Sequence, residues 1–331
     1  MPELNDRHNR TIDYLRISIT DHCNLQCQYC VPFEGRPKLP MADILTYEEL
    51  FKVAKAAAAA GVTKIRLTGG EPLMRVNMLK FCKMLRSLPQ IKDLALTTNG
   101  VLLESMAHDL KSAGVDRVNV SLDTLDAGRY AQITGKDCLD SVLTGIRKAM
   151  DARLAPLKIN MVPMRGINED EIVDMARWSL SAPIDIRFIE LMPTSGWAMD
   201  KHEQCFISVD EVRRKVEEIG LLEEVSQIET RGPATYARFP NAQGRIGFIS
   251  AVSHSFCSTC NRLRLTADGK LRACLFAEHE IDIKGPLRSG ADLDTLKSII
   301  QSTASSKPAR HRLDTHNPIP IKGRLMRSIG G

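Results

Sequence analysis

The chain has 331 residues, 43% of them hydrophobic and 26% charged, and 45 Lys and Arg against 40 Asp and Glu leave a formal charge of +5. This is enough apolar material for two domains or one large barrel with an appendage, and too small a basic excess for a nucleic-acid coat, although it suits an anionic small substrate. No apolar run approaches the ~20 residues of a membrane span, and the first ten residues lack the apolar core of a secretion signal, so a cytoplasmic protein is expected.

In chain order, six β-rich runs alternate with helical patterns: Tyr14–Thr20, Lys64–Thr68, Ile91–Thr97, Asp116–Ser121, Leu157–Val162 and Ile184–Glu190. Thr46 followed by Glu49 reads as a capping box opening the first helix, which runs through an alanine stretch to Gly61. Gly114 reads as a helix stop before the fourth strand. Six consecutive βα units predict a parallel sheet with helices outside, two units short of a full barrel, and place the chemistry at the carboxyl ends of the strands. After about Gly232 shorter alternating runs appear (Thr235–Phe239, Arg245–Ser250, Arg262–Thr266, Lys270–Ala273), which read as hairpins, with one further helix near Leu293–Ser302. The expected fold is α/β, the sheet winding into either a barrel or an open doubly wound sheet over 1–230, with a C-terminal β-rich extension over 231–331. Six basic residues follow Ser306 against a single acid, Asp314, and read equally as a solvated tail or as an anion-facing segment.

Six of the nine cysteines fall into two tight groups, which fits neither a disulfide scaffold nor scattered buried thiols. Cys82, Cys138 and Cys205 stand apart and read as small buried apolar residues. Cys23, Cys27 and Cys30 follow the first strand directly. A structural zinc site wants four ligands, and only His22 is near as a fourth, so the spacing favours iron–sulfur over zinc. A three-thiolate cradle leaves one iron of a cubane open to a small molecule. The next strand ends in Thr68-Gly69-Gly70-Glu71-Pro72, whose glycines allow close backbone approach to a ligand and whose Glu71 suits an ammonium group. Cys257, Cys260 and Cys274 lie in the C-terminal hairpins with His254 nearby. On spacing alone a zinc knuckle is the better reading there. Arg262 and Arg264, two apart on a strand and so on one face, instead suit bidentate binding of phosphate beside a metal site.

Cys-x3-Cys-x2-Cys paired with Gly-Gly-Glu-Pro resembles the radical S-adenosylmethionine superfamily. Nearly the whole chain resembles its GTP 3′,8-cyclase family, which opens molybdenum cofactor biosynthesis, through Tyr14–Asp21, Lys64–Thr68, Leu96–Gly100, Val120–Asp123, Lys158–Asn160, Ile189–Pro193, the Cys257–Cys274 block and the terminal Ile329-Gly330-Gly331. The resemblance implies a partial (βα)6 TIM-like barrel over 1–230, and two [4Fe-4S] clusters as well as S-adenosyl-L-methionine. Cys23, Cys27 and Cys30 would hold the first cluster, and Tyr29, Gly70, Ser121 and Met192 would line the S-adenosylmethionine pocket. Cys257, Cys260 and Cys274 would hold the second cluster, whose open iron takes the guanine of GTP. Arg16, Arg66, Thr97, Lys158, Arg262 and Arg264 would contact GTP, mainly its phosphates. An adenosyl radical would take hydrogen from C3′ of the ribose, and the carbon radical would add to C8 of guanine, giving 3′,8-cyclo-7,8-dihydro-GTP. A flexible Gly-Gly tail would enter the site.

Partners so implied are GTP, a low-potential electron donor such as a flavodoxin, and the downstream cyclic pyranopterin monophosphate synthase that receives the product; no nucleic acid or membrane is expected, and a homodimer is left open. No general acid or base is marked by spacing. Val31, where the family has methionine, and Pro163 are departures that touch no ligand. Two other readings stay in view: a peptide-modifying radical enzyme with an auxiliary cluster, and a zinc-stapled nucleic-acid-binding protein. The second would need a strongly basic chain with stacking aromatics, and only 5% of residues are aromatic.

Overall fold

The computed structural model describes residues 3–30, 39–226, 232–277, 279–311, 313, 324 and 326–330. Val31 and Gly331 lie outside them.

The strands follow from a strict alternation of side chains. Six parallel strands, β1 (Tyr14–Ser18), β2 (Lys64–Thr68), β3 (Asp93–Thr98), β4 (Arg117–Ser121), β5 (Leu157–Met161) and β6 (Ile184–Ile189), lie side by side in sequence order. Leu15, Ile17, Ile65, Leu67, Val118, Val120, Ile159 and Phe188 point outward into a continuous apolar core. Their neighbours Tyr14, Arg16, Lys64, Arg66, Asn119, Lys158 and Arg187 point into the lumen. A closed eight-stranded barrel fills its interior with branched apolar side chains. Here the inner positions are polar, and the interior stays open.

The helices form where expected. Thr46 Oγ1 accepts from the Glu49 amide at 3.2 Å while Glu49 Oε2 accepts from the Thr46 amide at 2.8 Å, a complete capping box. The helix Tyr47–Ala60 ends at Gly61 in a left-handed conformation with φ of 119°.

The C-terminal strands do more than form hairpins. β7 (Glu223–Val225), β8 (Thr235–Arg238) and β9 (Ile246–Ile249) form an antiparallel ribbon whose β9 joins β6 in parallel. β10 (Arg262–Leu265), β11 (Lys270–Arg272) and β12 (Ile281–Asp282) form another, whose β10 joins β1 in parallel. One twelve-stranded sheet results, in the order β12-β11-β10-β1-β2-β3-β4-β5-β6-β9-β8-β7. Eight adjacent strands are parallel, but both outermost ones continue into antiparallel ribbons. Register between β10 and β1 pairs Arg262 with Tyr14 and Arg264 with Arg16, so the second cysteine block is bolted to the strand that precedes the first.

Candidate active site

A cavity of about 680 Å³ occupies the lumen, and all sixteen residues expected to form the site line it, including both cysteine triads. Its charge is one-sided. Ten Lys and Arg side chains (Arg16, Lys64, Arg66, Arg117, Lys158, Arg187, Arg245, Arg262, Arg264 and Lys307) line it, against two carboxylates, Asp123 and Glu190. Such a wall of cations in a low-dielectric enclosure attracts a polyanion.

The first triad is held by the second strand's loop. Gly70 N donates to Thr20 O at 2.7 Å and Glu71 N to His22 O at 2.7 Å. A Cβ on Gly70 would stand 2.2 Å from the His22 carbonyl oxygen. The backbone that the glycine admits so closely is therefore that of the cysteine loop itself. Nor does Glu71 offer its carboxylate to a ligand. It is fully buried, accepting from Thr98 Oγ1 at 2.8 Å, Asn99 N at 2.7 Å and Leu73 N at 3.0 Å. Burial pushes Glu71 up to about 7. The Asn99 so fixed donates its side-chain amide to Asn24 Oδ1 at 2.7 Å and to Cys23 Sγ at 3.8 Å. Glu71 thus acts on the cysteines through Asn99, as outer partners of metal ligands do.

Opposite this loop, Tyr29 donates to Asp123 Oδ2 at 2.6 Å, and its carbonyl accepts from Ser195 Oγ at 2.8 Å. Burial raises Asp123 to about 6 despite that bond. Ser121 and Met192 line the same wall.

The two triads differ electrically. Burial and the nearby Cys30, Asp123 and Cys23 push the Cys27 thiol well up. At Cys260 burial also raises the thiol, but Arg262 and Lys307 outweigh it and bring it down to about 6. Among the described residues no three His, Cys, Asp or Glu side chains are close enough to hold a single metal ion. Three thiolates at each end, with amide and cationic groups beside them, fit the donor set of a cluster with one unligated iron.

Between the triads the cations fall into register. Arg16 on β1 lies opposite Arg264 on β10 and Arg66 on β2. Neighbouring strands are about 4.8 Å apart, so the three define a row roughly 10 Å long. Arg66 donates to Tyr14 Oη, and to Thr97 Oγ1 at 3.2 Å. Burial would raise the Tyr14 phenol, but Arg66, Arg16 and Arg117 bring it down to about 8. Burial, then Arg262, pushes Arg264 down to about 10. Lys158 sits 3.2 Å from Asp185, which also pairs with Arg245 at 2.8 Å. Among the described residues Arg66 and Arg264 make no ion pair with a carboxylate, and Arg262 hydrogen-bonds Cys260. Like charges this close are destabilising unless an anion joins them.

Two comparisons of sequence bear on this arrangement. Residues 17–179 match the Radical SAM superfamily and residues 184–313 match Molybdenum Cofactor Synthesis C. The chain is 46% identical over 328 residues to a GTP 3′,8-cyclase of Moorella thermoacetica, covering 99% of this chain and 100% of that one. It is 48% identical over 330 residues to another from Thermodesulfovibrio yellowstonii, with the same coverage. The chain belongs to the GTP 3′,8-cyclase family. In fold it is similar to SuiB of Streptococcus suis bound to S-adenosylmethionine, with a TM-score of 0.61 at 17% identity, over 89% of this chain and 69% of that one. Membership in this radical S-adenosylmethionine family brings S-adenosylmethionine and a [4Fe-4S] cluster as cofactors.

Several residues of this cyclase site escape a sequence reading. Lys64, Arg117, Arg187 and Tyr236 reach the lumen by strand alternation, a signal present in the sequence but not decisive without the register, and Arg245 reaches it from the residue before β9. Lys307 was legible only as one of a run of basic residues. It is buried and faces the cavity, whereas Arg310 is exposed and Arg324 pairs with Asp268 at 2.8 Å and Glu280 at 2.7 Å. Arg312 and Lys322 lie outside the described residues. His254 is exposed and bonded to Asp210 at 2.8 Å, away from the cavity wall, and His22 lies 3.8 Å from Asp21. It is His311 that lines the cavity and hydrogen-bonds Cys257. Cys82 and Cys205 are buried as expected, and Cys138 is half-buried before the helix Leu139–Asp151.

Proposed function

We propose how this chain carries out the conversion of GTP to 3′,8-cyclo-7,8-dihydro-GTP, the first step of molybdenum cofactor biosynthesis. The observation that supports the assignment is the single cavity, with a cysteine triad at each end and a row of arginines between. Cys23, Cys27 and Cys30 hold one [4Fe-4S] cluster beside an S-adenosylmethionine pocket walled by Tyr29, Gly70, Ser121 and Met192. Cys257, Cys260 and Cys274 would hold a second cluster, at the end of the cavity where the guanine would bind. When bound, S-adenosylmethionine and the first cluster would supply radical chemistry at the ribose.

The protein's own share is positioning and charge. Arg16, Arg66, Arg262 and Arg264, with Thr97 and Lys158, hold the triphosphate, relieving the repulsion among buried guanidiniums. With the phosphates anchored and the base fixed at the far triad, C3′ and C8 of one nucleotide are kept within bonding reach. Gly330 contributes from the C-terminus. Its φ is 81°, its carbonyl accepts from Arg264, and a Cβ there would stand 2.2 Å from Thr68 Oγ1. In this reading the chain divides near residue 230 into a barrel that activates S-adenosylmethionine and a C-terminal part that presents GTP. A low-potential donor such as a flavodoxin supplies the electron, and a pyranopterin-forming synthase takes the product.

Incubating reduced, reconstituted protein with S-adenosylmethionine and GTP tests the whole. 5′-Deoxyadenosine together with a cyclised nucleotide is expected. 5′-Deoxyadenosine without consumption of GTP would count against the assignment.

A further inference from the structure

Two stretches flanking the β10–β11 hairpin meet to form the second triad: Cys257–Arg262, which leads into β10, and the pair Ala273-Cys274, which follows β11. Each has a backbone carbonyl gripped by a buried cation from outside the triad. Arg10 Nη1 donates to Cys257 O at 2.6 Å. Lys307 Nζ donates to Arg262 O at 2.8 Å and to Ala273 O at 2.6 Å. The two cations are joined in turn, because Arg10 also donates to Pro308 O at 2.7 Å and to Ala309 O at 3.2 Å, the residues next to Lys307.

Their own supports differ. Arg10 belongs to a small N-terminal hairpin closed by an Asn5–Thr11 bridge, and its charge is matched by buried Asp6 at 2.5 Å. Lys307 is only 4% exposed, and among the described residues it makes no ion pair. A buried ammonium held by carbonyl dipoles is further stabilised by an anion nearby. Lys307 and the three cysteines face one cavity, where their thiolates would supply it.

We infer that Arg10 and Lys307 are positioning residues for the second triad, clamping its two stretches in place, and that Lys307 also supplies the charge that balances the bound centre. The inference rests on reading that triad as a metal centre. Because Arg10 is neutralised by Asp6 and Lys307 is not, the two cations have separable effects. Both govern loading, and only Lys307 governs the reduction potential, since a positive charge beside a cluster favours its reduced, more negative form.

The test uses full-length protein reconstituted without oxygen, with iron content, Mössbauer spectra, a redox titration of the second centre and S-adenosylmethionine cleavage at the first as readouts. Wild-type protein should hold about eight irons per chain, as two cubanes give. Lys307→Met should hold about four, with S-adenosylmethionine cleavage retained. Lys307→Gln, which keeps one amide donor, should recover most of the iron but titrate at a more negative potential. The charge-neutral pair Arg10→Gln with Asp6→Asn should lose loading without moving the potential of the centres that remain. Full iron at an unchanged potential in both Lys307 variants would overturn the clamp and leave the metal-centre reading standing. Loss of both centres together in Lys307→Met would also overturn it, by making Lys307 a support of the fold at large. Zinc or no metal on the second triad of wild-type protein would overturn the reading itself, and the inference with it.

Discussion

Arg264→Met separates what this residue does for folding from what it does for binding. Burial and the Arg262 guanidinium bring Arg264 down to about 10, which corresponds to about 3 kcal/mol held against its charged form. Methionine removes that charge and fills much of the same volume. One bond to the Gly330 carbonyl is lost, at about 1 kcal/mol. The variant should therefore be more stable than the parent by about 2 kcal/mol, a rise in Tm of roughly 3 °C. GTP affinity should move the other way. A charge-assisted bond to phosphate contributes about 2 kcal/mol, so Kd should rise about 30-fold. Thermal unfolding in the absence of nucleotide and equilibrium dialysis of GTP, both on reconstituted protein, read the two effects. A variant that melts lower and binds GTP as tightly as the parent would refute the view that this arginine is strained in the free protein and relieved by an anion.

Two further outcomes are expected. Glu71 has a folded-state value of about 7, above the ordinary carboxylate range, so its contribution to stability is favourable at low pH and is lost as pH rises from the unfolded value toward 7. Relative to Glu71→Gln, the parent should thus lose about 3 kcal/mol of unfolding free energy between about pH 4.5 and 7 in denaturant titrations; parallel pH profiles for the two proteins would show the carboxyl to be charged throughout. Gly70→Ala forces a Cβ to 2.2 Å from the His22 carbonyl and so displaces the first cysteine loop. S-adenosylmethionine cleavage should fall at least 10-fold while iron at the second triad persists, and a variant cleaving at the parental rate would show that the loop yields.

Much of this protein is set by local pattern. The capping box at Thr46 and Glu49, the stop at Gly61 and the six β-rich runs depend on neighbours within a few residues, and they appear where the sequence places them. The cysteine spacings and the Arg262–Arg264 alternation are likewise local. Even so, Glu71 does not face a ligand as its residue type suggests, because a carboxylate or a missing Cβ does not say what approaches it. Only the folded chain shows Glu71 closing on Asn99 and Gly70 receiving the cysteine loop. Tertiary structure alone also decided that β9 and β10 add in parallel to opposite edges of one sheet, bringing Cys257–Cys274 across the lumen from Cys23–Cys30. Long-range register rests on which edges remain free once the six βα units have wound, and on apolar faces that must be covered. Neither quantity belongs to any short stretch of sequence, so the convergence of Arg16, Arg66 and Arg264, and the reach of Lys307 to the second triad, come into being only with the fold.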